Sequence, residues 1–172
     1  PRSTLFPYTT LFRSLEQYWA LGTNTFRVTD NAQDFILAAR DIGIEISPIS
    51  GVQEAVLIYA GVITSLPVLE NHSLVIDIGG GSTEIIIGHK HSRLLTESMA
   101  VGSIAWRDKF FSPKTADLLL LNKQLDAATA ASKSVFDSIN IGVRKAGWDE
   151  AYASSGTVKM LATICKAHGL GK

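Results

Sequence analysis

LVIDIGGGSTEIIIG, residues 74–88, sets two apolar runs on either side of three consecutive glycines, with Asp77 before them and Glu84 after. SLVIDI and TEIIIG read as two strands joined in a hairpin across Gly79, Gly80 and Gly81. The glycines permit backbone conformations and close approaches that a Cβ would forbid. Such a turn can aim several backbone N–H groups at one point, a concavity that suits phosphate oxygens, and Ser82 and Thr83 add hydroxyl donors beside it. Asp77 ends an otherwise apolar strand. Because a buried unpaired carboxylate is costly, that end is expected to face a cleft. Two acids beside a phosphate would repel it unless a cation intervened, and Mg²⁺ takes few carboxylates while keeping waters and phosphate oxygens as its other ligands. The plainer alternative is a glycine-rich hairpin with a solvated acid at each end. The string is not G-x-x-x-x-G-K-[ST] and no helical pattern follows the glycines, so neither a P-loop nor a dinucleotide-binding turn fits.

Around this hairpin the chain alternates strand-like and helix-like segments, an α/β pattern. Residues 18–23 read as a short buried strand. Phe35, Ala38, Ala39 and Ile42 fall on one face of a helix over 30–43, and Gly43 is placed to stop it. IEISPIS (44–50) is strand-like, with Pro48 marking an edge or an ending. In the next helix Val52, Ala55, Val56, Tyr59 and Ile63 share a face. Ser50 and Gln53 form a capping box at its start, and Pro67 closes it. Residues 92–100 are expected to add a third strand, and 102–111 a helix with Trp106, Phe110 and Phe111 in the core. A long helical pattern runs from Pro113 to about Lys145. A short strand and small-residue turn (151–157) and a last helix (158–169) complete the pattern.

The bulk properties exclude several classes. The 172 residues carry 16 basic and 16 acidic side chains, so no global field draws the chain to nucleic acid or an anionic membrane. No apolar run approaches the roughly 20 residues of a membrane span. One cysteine, Cys165, gives no intrachain disulfide and fits a reducing, cytoplasmic compartment. His72, His89, His91 and His168 lack ligand spacing and are assigned to no metal.

The hairpin closely resembles the second phosphate motif of the exopolyphosphatase / guanosine pentaphosphate phosphatase (Ppx/GppA) family. GTNTFRVTDNAQDFI (22–36), EISPISGVQEAVLIYAGV (45–62), GSIAWRDKFF (102–111) and GWDEAYASSGT (147–157) resemble the same family in order and spacing. The resemblance implies ribonuclease H-like, actin-like ATPase lobes. It also implies an incomplete pair, because the family's opening D-x-G-S-N-S hairpin has no counterpart here. The expected division is 15–68 as the C-terminal half of lobe I and 69–172 as the N-terminal part of lobe II. Residues 1–14 resemble a translated sequencing adapter and are expected to be non-native.

By the same resemblance, Glu54 matches the general base that activates the attacking water. Read alone, it is a first-turn carboxylate that the helix dipole favours by about 0.3–1 kcal/mol, and it lies off the apolar face. Gln53 and Val56 stand where the family carries an acid and an arginine. Arg27 matches a phosphate-holding arginine, a role that paired guanidinium N–H groups suit, and Asn31 also fits the pattern. Gly79, Gly80, Gly81, Ser82 and Thr83 match the phosphate cradle. Ser155, Gly156 and Thr157 match a further phosphate-facing turn, for which a plain N-capped turn is the alternative. Asp77 and Glu84 match the acids around Mg²⁺. The activity implied is release of terminal phosphate from inorganic polyphosphate or guanosine pentaphosphate by an intact homodimeric parent. A small-molecule kinase of the same superfold and a non-catalytic phosphate- or nucleotide-binding module are the alternatives.

Overall fold

The computed structural model describes residues 18–67, 70–112 and 117–170. The segment expected to be non-native lies outside them, as does the expected 68/69 division.

Two sheets form. The smaller pairs β1 (Ala20–Gly22) with β2 (Ile46–Pro48) in parallel, and α1 (Asn24–Val28) and α2 (Ala32–Asp41) connect them. Pro48 is the last residue of β2, on a strand with a single neighbour among the described residues, a position that tolerates a missing N–H. α3 (Gly51–Ser65) then leads to the larger sheet. This sheet contains β3 (His72–Ile78), β4 (Thr83–His89), β5 (Ser92–Met99) and β6 (Glu150–Ser154), in the order β5-β4-β3-β6. β3–β4 and β4–β5 are antiparallel, and β6 joins β3 in parallel. Between β5 and β6 run α4 (Ser103–Phe110), α5 (Leu118–Asp137) and α6 (Asn140–Ala146), and α7 (Gly156–Ala167) follows β6.

The near-continuous apolar runs of β3 and β4 bury both faces of this sheet, as a strand covered on two sides requires. On one face Ala55 and Tyr59 of α3 pack on Val75 and Ile86. On the other, Leu74, Ile85, Ile87 and Met99 receive Val135, Phe136, Ile139 and Val143 from α5, α6 and the turn between them. α3, grouped by sequence with the first unit, thus shares its core with the second.

The helix-start chemistry of α3 is as expected. Ser50 Oγ accepts from Gln53 N at 3.1 Å, and Gln53 Oε1 accepts from Ser50 N at 2.8 Å, a complete capping box. Gln53 therefore fills the capping position that an acid could fill equally well.

The apolar face read on α2 is open, with Phe35 58% and Ile42 75% exposed. Three expectations are corrected. The first strand is shorter and not buried: Trp19 is 85% and Leu21 39% exposed, in a sheet that has two strands among the described residues. The long helix breaks in two at Ser138 and Ile139, where the chain turns so that Ile139 and Val143 can reach the sheet. Trp106, Phe110 and Phe111 are half-buried rather than core, and Trp106 Nε1 donates to Ala128 O at 3.2 Å, tying α4 to α5. Among the described residues no helix is long and apolar enough to cross a membrane.

Candidate active site

A cleft of ≈ 540 Å³ separates α1 and the start of α3 from the glycine turn and α4. Glu54, Gly79, Gly80, Gly81 and Ser82 all line it, with Asn24 and Asp108. The residues that the sequence placed on two distant motifs therefore meet across one gap.

The turn's outward face is set by what occupies its inner face. Gly79 N donates to Ser82 O at 2.9 Å, closing the hairpin. The Gly79 carbonyl accepts from Ser103 N, and that of Gly80 accepts from Ile104 N and Ala105 N, at 2.9–3.0 Å. The first amides of α4 are thus used to hold the turn's carbonyls. Gly102 makes this contact possible, since an ideal Cβ there would lie 2.4 Å from both Gly80 O and Gly81 N. The amides of Gly80, Gly81 and Ser82 donate to no carbonyl of the described residues. Three N–H groups without a carbonyl partner, on a turn lining a cleft, are the donor type that an anion-binding turn uses.

Across the gap, Arg27 of α1 pairs with Glu54: Nη1 lies 3.0 Å from Oε2 and also donates to Ile49 O at 2.9 Å. Both side chains are about one-fifth exposed, 21% and 17%. α3 is held close to the sheet by Gly51, where an ideal Cβ would fall 2.2 Å from Ser98 Oγ.

Asp77 and Glu84 are directly paired in the β3–β4 register, so their side chains lie on the same face, the one that α3 covers. Glu84 is 1% exposed rather than solvated. Burial raises its proton affinity. Hydrogen bonds from Ser98 and Ser82 oppose that rise, and the charges of Glu54 and Asp77 add to it. Ser98 Oγ donates to Glu84 Oε1 at 2.8 Å, and Ser154 Oγ donates to Asp77 Oδ2. Among the described residues no three His, Cys, Asp or Glu side chains group as a metal site. Two opposed carboxylates are, however, the protein share that Mg²⁺ takes when waters and phosphate complete its shell. A like-charge pair with one member, Glu84, buried is also what a cation would relieve, so the donor set fits.

Other expected residues lie elsewhere. Thr83 faces the opposite side of the sheet, and its hydroxyl donates to Val101 O at 2.6 Å, so it does not reach the cleft. Ser155, at φ 95°, caps α7: its Oγ accepts from Val158 N and donates to Ile78 O at 2.6 Å. Thr157 Oγ1 contacts Ser103 Oγ at 3.1 Å. Neither they nor Gly156 line the cleft; they brace the turn from behind. Asn31 begins α2 and is exposed. Sequence reasoning missed Asn24, Ser98, Ser103 and Ser154. Asn24, Ser103 and Ser154 lie inside stretches already singled out (22–36, 102–111 and 147–157) without being picked as site residues, and Ser98 comes in only through the strand register.

A family model described as the Ppx/GppA phosphatase family matches residues 6–171. The guanosine-5'-triphosphate,3'-diphosphate pyrophosphatase of Photobacterium profundum is 34% identical over 156 residues, covering 90% of this chain and 30% of that protein. The crystal structure of an exopolyphosphatase from Cytophaga hutchinsonii ATCC 33406 is 28% identical with a TM-score of 0.68, over 94% of this chain and 51% of that one. An exopolyphosphatase-like protein is 24% identical with a TM-score of 0.78, over 90% and 49%, and shares the fold. The chain spans about half the length of these solved relatives and under a third of the curated one.

Proposed function

Because the chain belongs to the Ppx/GppA phosphatase family, we propose that it is part of a phosphoanhydride hydrolase that releases terminal phosphate from inorganic polyphosphate or guanosine pentaphosphate. The observation that carries this reading is that Glu54 and the Gly79–Ser82 turn line one cleft from opposite sides. The amides of Gly80, Gly81 and Ser82 receive the non-bridging oxygens of the terminal phosphoryl group. Glu54, on the facing wall, accepts a proton from the water that attacks phosphorus. Arg27 holds the Glu54 carboxylate in place and offers its remaining N–H groups to the phosphate. Positioning and charge stabilisation carry the catalysis, as in phosphoryl transfer generally.

Asp77 and Glu84 would hold Mg²⁺, which when bound offsets the charge on phosphate oxygens. Cytoplasmic location and a homodimeric whole protein belong to the same proposal.

The test is Glu54→Gln in a full-length protein that carries this segment, with phosphate release followed from each substrate. Loss of a general base predicts a fall of about 10²–10⁴-fold in turnover with binding retained. Hydrolysis at the unmodified rate would remove Glu54 from the mechanism.

A further inference from the structure

Four side chains form one row across the larger sheet. Ser154 on β6 is register partner to Asp77 on β3, Asp77 to Glu84 on β4, and Glu84 to Ser98 on β5. The row reads hydroxyl, carboxylate, carboxylate, hydroxyl. Like charges directly opposed in an antiparallel pair are destabilising, and on the Glu84 side, 1% exposed, solvent offers little screening. On each outer side a serine donates inward, Ser154 Oγ to Asp77 Oδ2 and Ser98 Oγ to Glu84 Oε1. Each hydroxyl occupies one oxygen of its carboxylate.

We propose that Ser98 and Ser154 are positioning residues that hold Glu84 and Asp77 from the outer strands and so fix how the two carboxylates are presented to a divalent cation between β3 and β4. This rests on the metal role of the two acids proposed above and adds two residues to it. The geometry favours a clamp over a packing role. Ser98 sits beneath the first residue of α3, where an ideal Cβ on Gly51 would come within 2.2 Å of its Oγ. Ser98 Oγ thus packs against the side of Gly51 that carries no side chain, and its hydroxyl donates to Glu84. Ser154 lies on the outermost strand among the described residues, as the register partner of Asp77. Hydroxyl donors of this kind fix carboxylate orientation around a metal, and their removal costs about 10–100-fold in affinity.

The experiment titrates this chain with Mn²⁺, read by the loss of the free-ion paramagnetic resonance signal, with Mg²⁺ competition. Thermal unfolding without metal is followed in parallel. Ser154→Ala and Ser98→Ala are expected to weaken Mn²⁺ binding at least about tenfold, while Ser154→Thr, which keeps the hydroxyl, restores it. If Ser98→Ala fails to fold, Ser154→Ala and its threonine rescue decide the matter. Unchanged Mn²⁺ affinity in a folded Ser154→Ala variant overturns the clamp and leaves the metal role of the acids standing. An unmodified chain that binds no Mn²⁺, or binds it equally after Asp77→Asn, overturns both.

Discussion

The guanidinium of Arg27 lies 3.0 Å from the carboxylate of Glu54, joining the helix after β1 to the first turn of α3. One nitrogen makes both this contact and the bond to the Ile49 carbonyl. The proposed base is therefore held by the residue proposed to meet its substrate.

Arg27→Lys separates the two roles. Lysine keeps the charge but not the planar fork, so the substrate concentration for half-maximal rate in the full-length protein rises about tenfold, ~1.4 kcal/mol. Turnover changes less. Steady-state phosphate release resolves the two parameters; an effect confined to turnover contradicts a phosphate-holding role.

The Glu84 carboxyl is held above its ordinary value of 4.5, chiefly by burial. It therefore binds its proton more tightly folded than unfolded. Stability of the metal-free chain falls as pH rises from that ordinary value through the raised one, and is regained as pH falls again. Glu84→Gln removes this loss. Thermal unfolding across pH should show the variant more stable than the parent at neutral pH, with the gap closing below 4.5. A gap that does not vary with pH contradicts the assignment.

Gly102→Ala tests the cradle from behind. The added Cβ meets backbone atoms, Gly80 O and Gly81 N, rather than a movable side chain. The turn must shift. Binding of inorganic phosphate with Mg²⁺, followed by ³¹P resonance, is expected to weaken about tenfold, ~1.4 kcal/mol, in a variant whose circular dichroism is unchanged. Unaltered binding means that these amides are not the cradle.

Gln53→Glu is expected to be silent, because either side chain completes the box with Ser50. Ser50→Ala removes the cap and costs about 1 kcal/mol, a loss of about 2–4 °C in Tm. Thermal unfolding of the pair distinguishes a capping role for position 53 from a chemical one, which Gln53→Glu would reveal as a changed rate.

Much of this was readable locally. The hairpin, the capping box and the buried face of α3 at Ala55 and Tyr59 follow from short-range pattern, and the structure has them where the pattern put them. The errors concern what lies across the sheet. Thr83 is one residue from Ser82 and also from Glu84, yet strand alternation sends it to the other face. Ser155 has the composition of a phosphate turn, but the carbonyl of Ile78 claims its hydroxyl. Ser98 carries no local signal, and Ser154, though inside the 147–157 stretch, carries none for its tie to Asp77, because their relation to the acids exists only through pairing between distant strands. Phe35, Ile42 and Leu21 show the converse: amphipathic periodicity identifies a face but not whether anything covers it.

β6 pairs with β3 alone among the described residues, and nearby α7 turns Met160, Leu161 and Ile164 outward, 47–62% exposed. Its free side is a ladder with one rail, flanked by a greasy helix. Any extended peptide of suitable register can complete it. The expected consequence is self-association of the chain as its concentration rises, read by sedimentation; a monomer at all concentrations contradicts it.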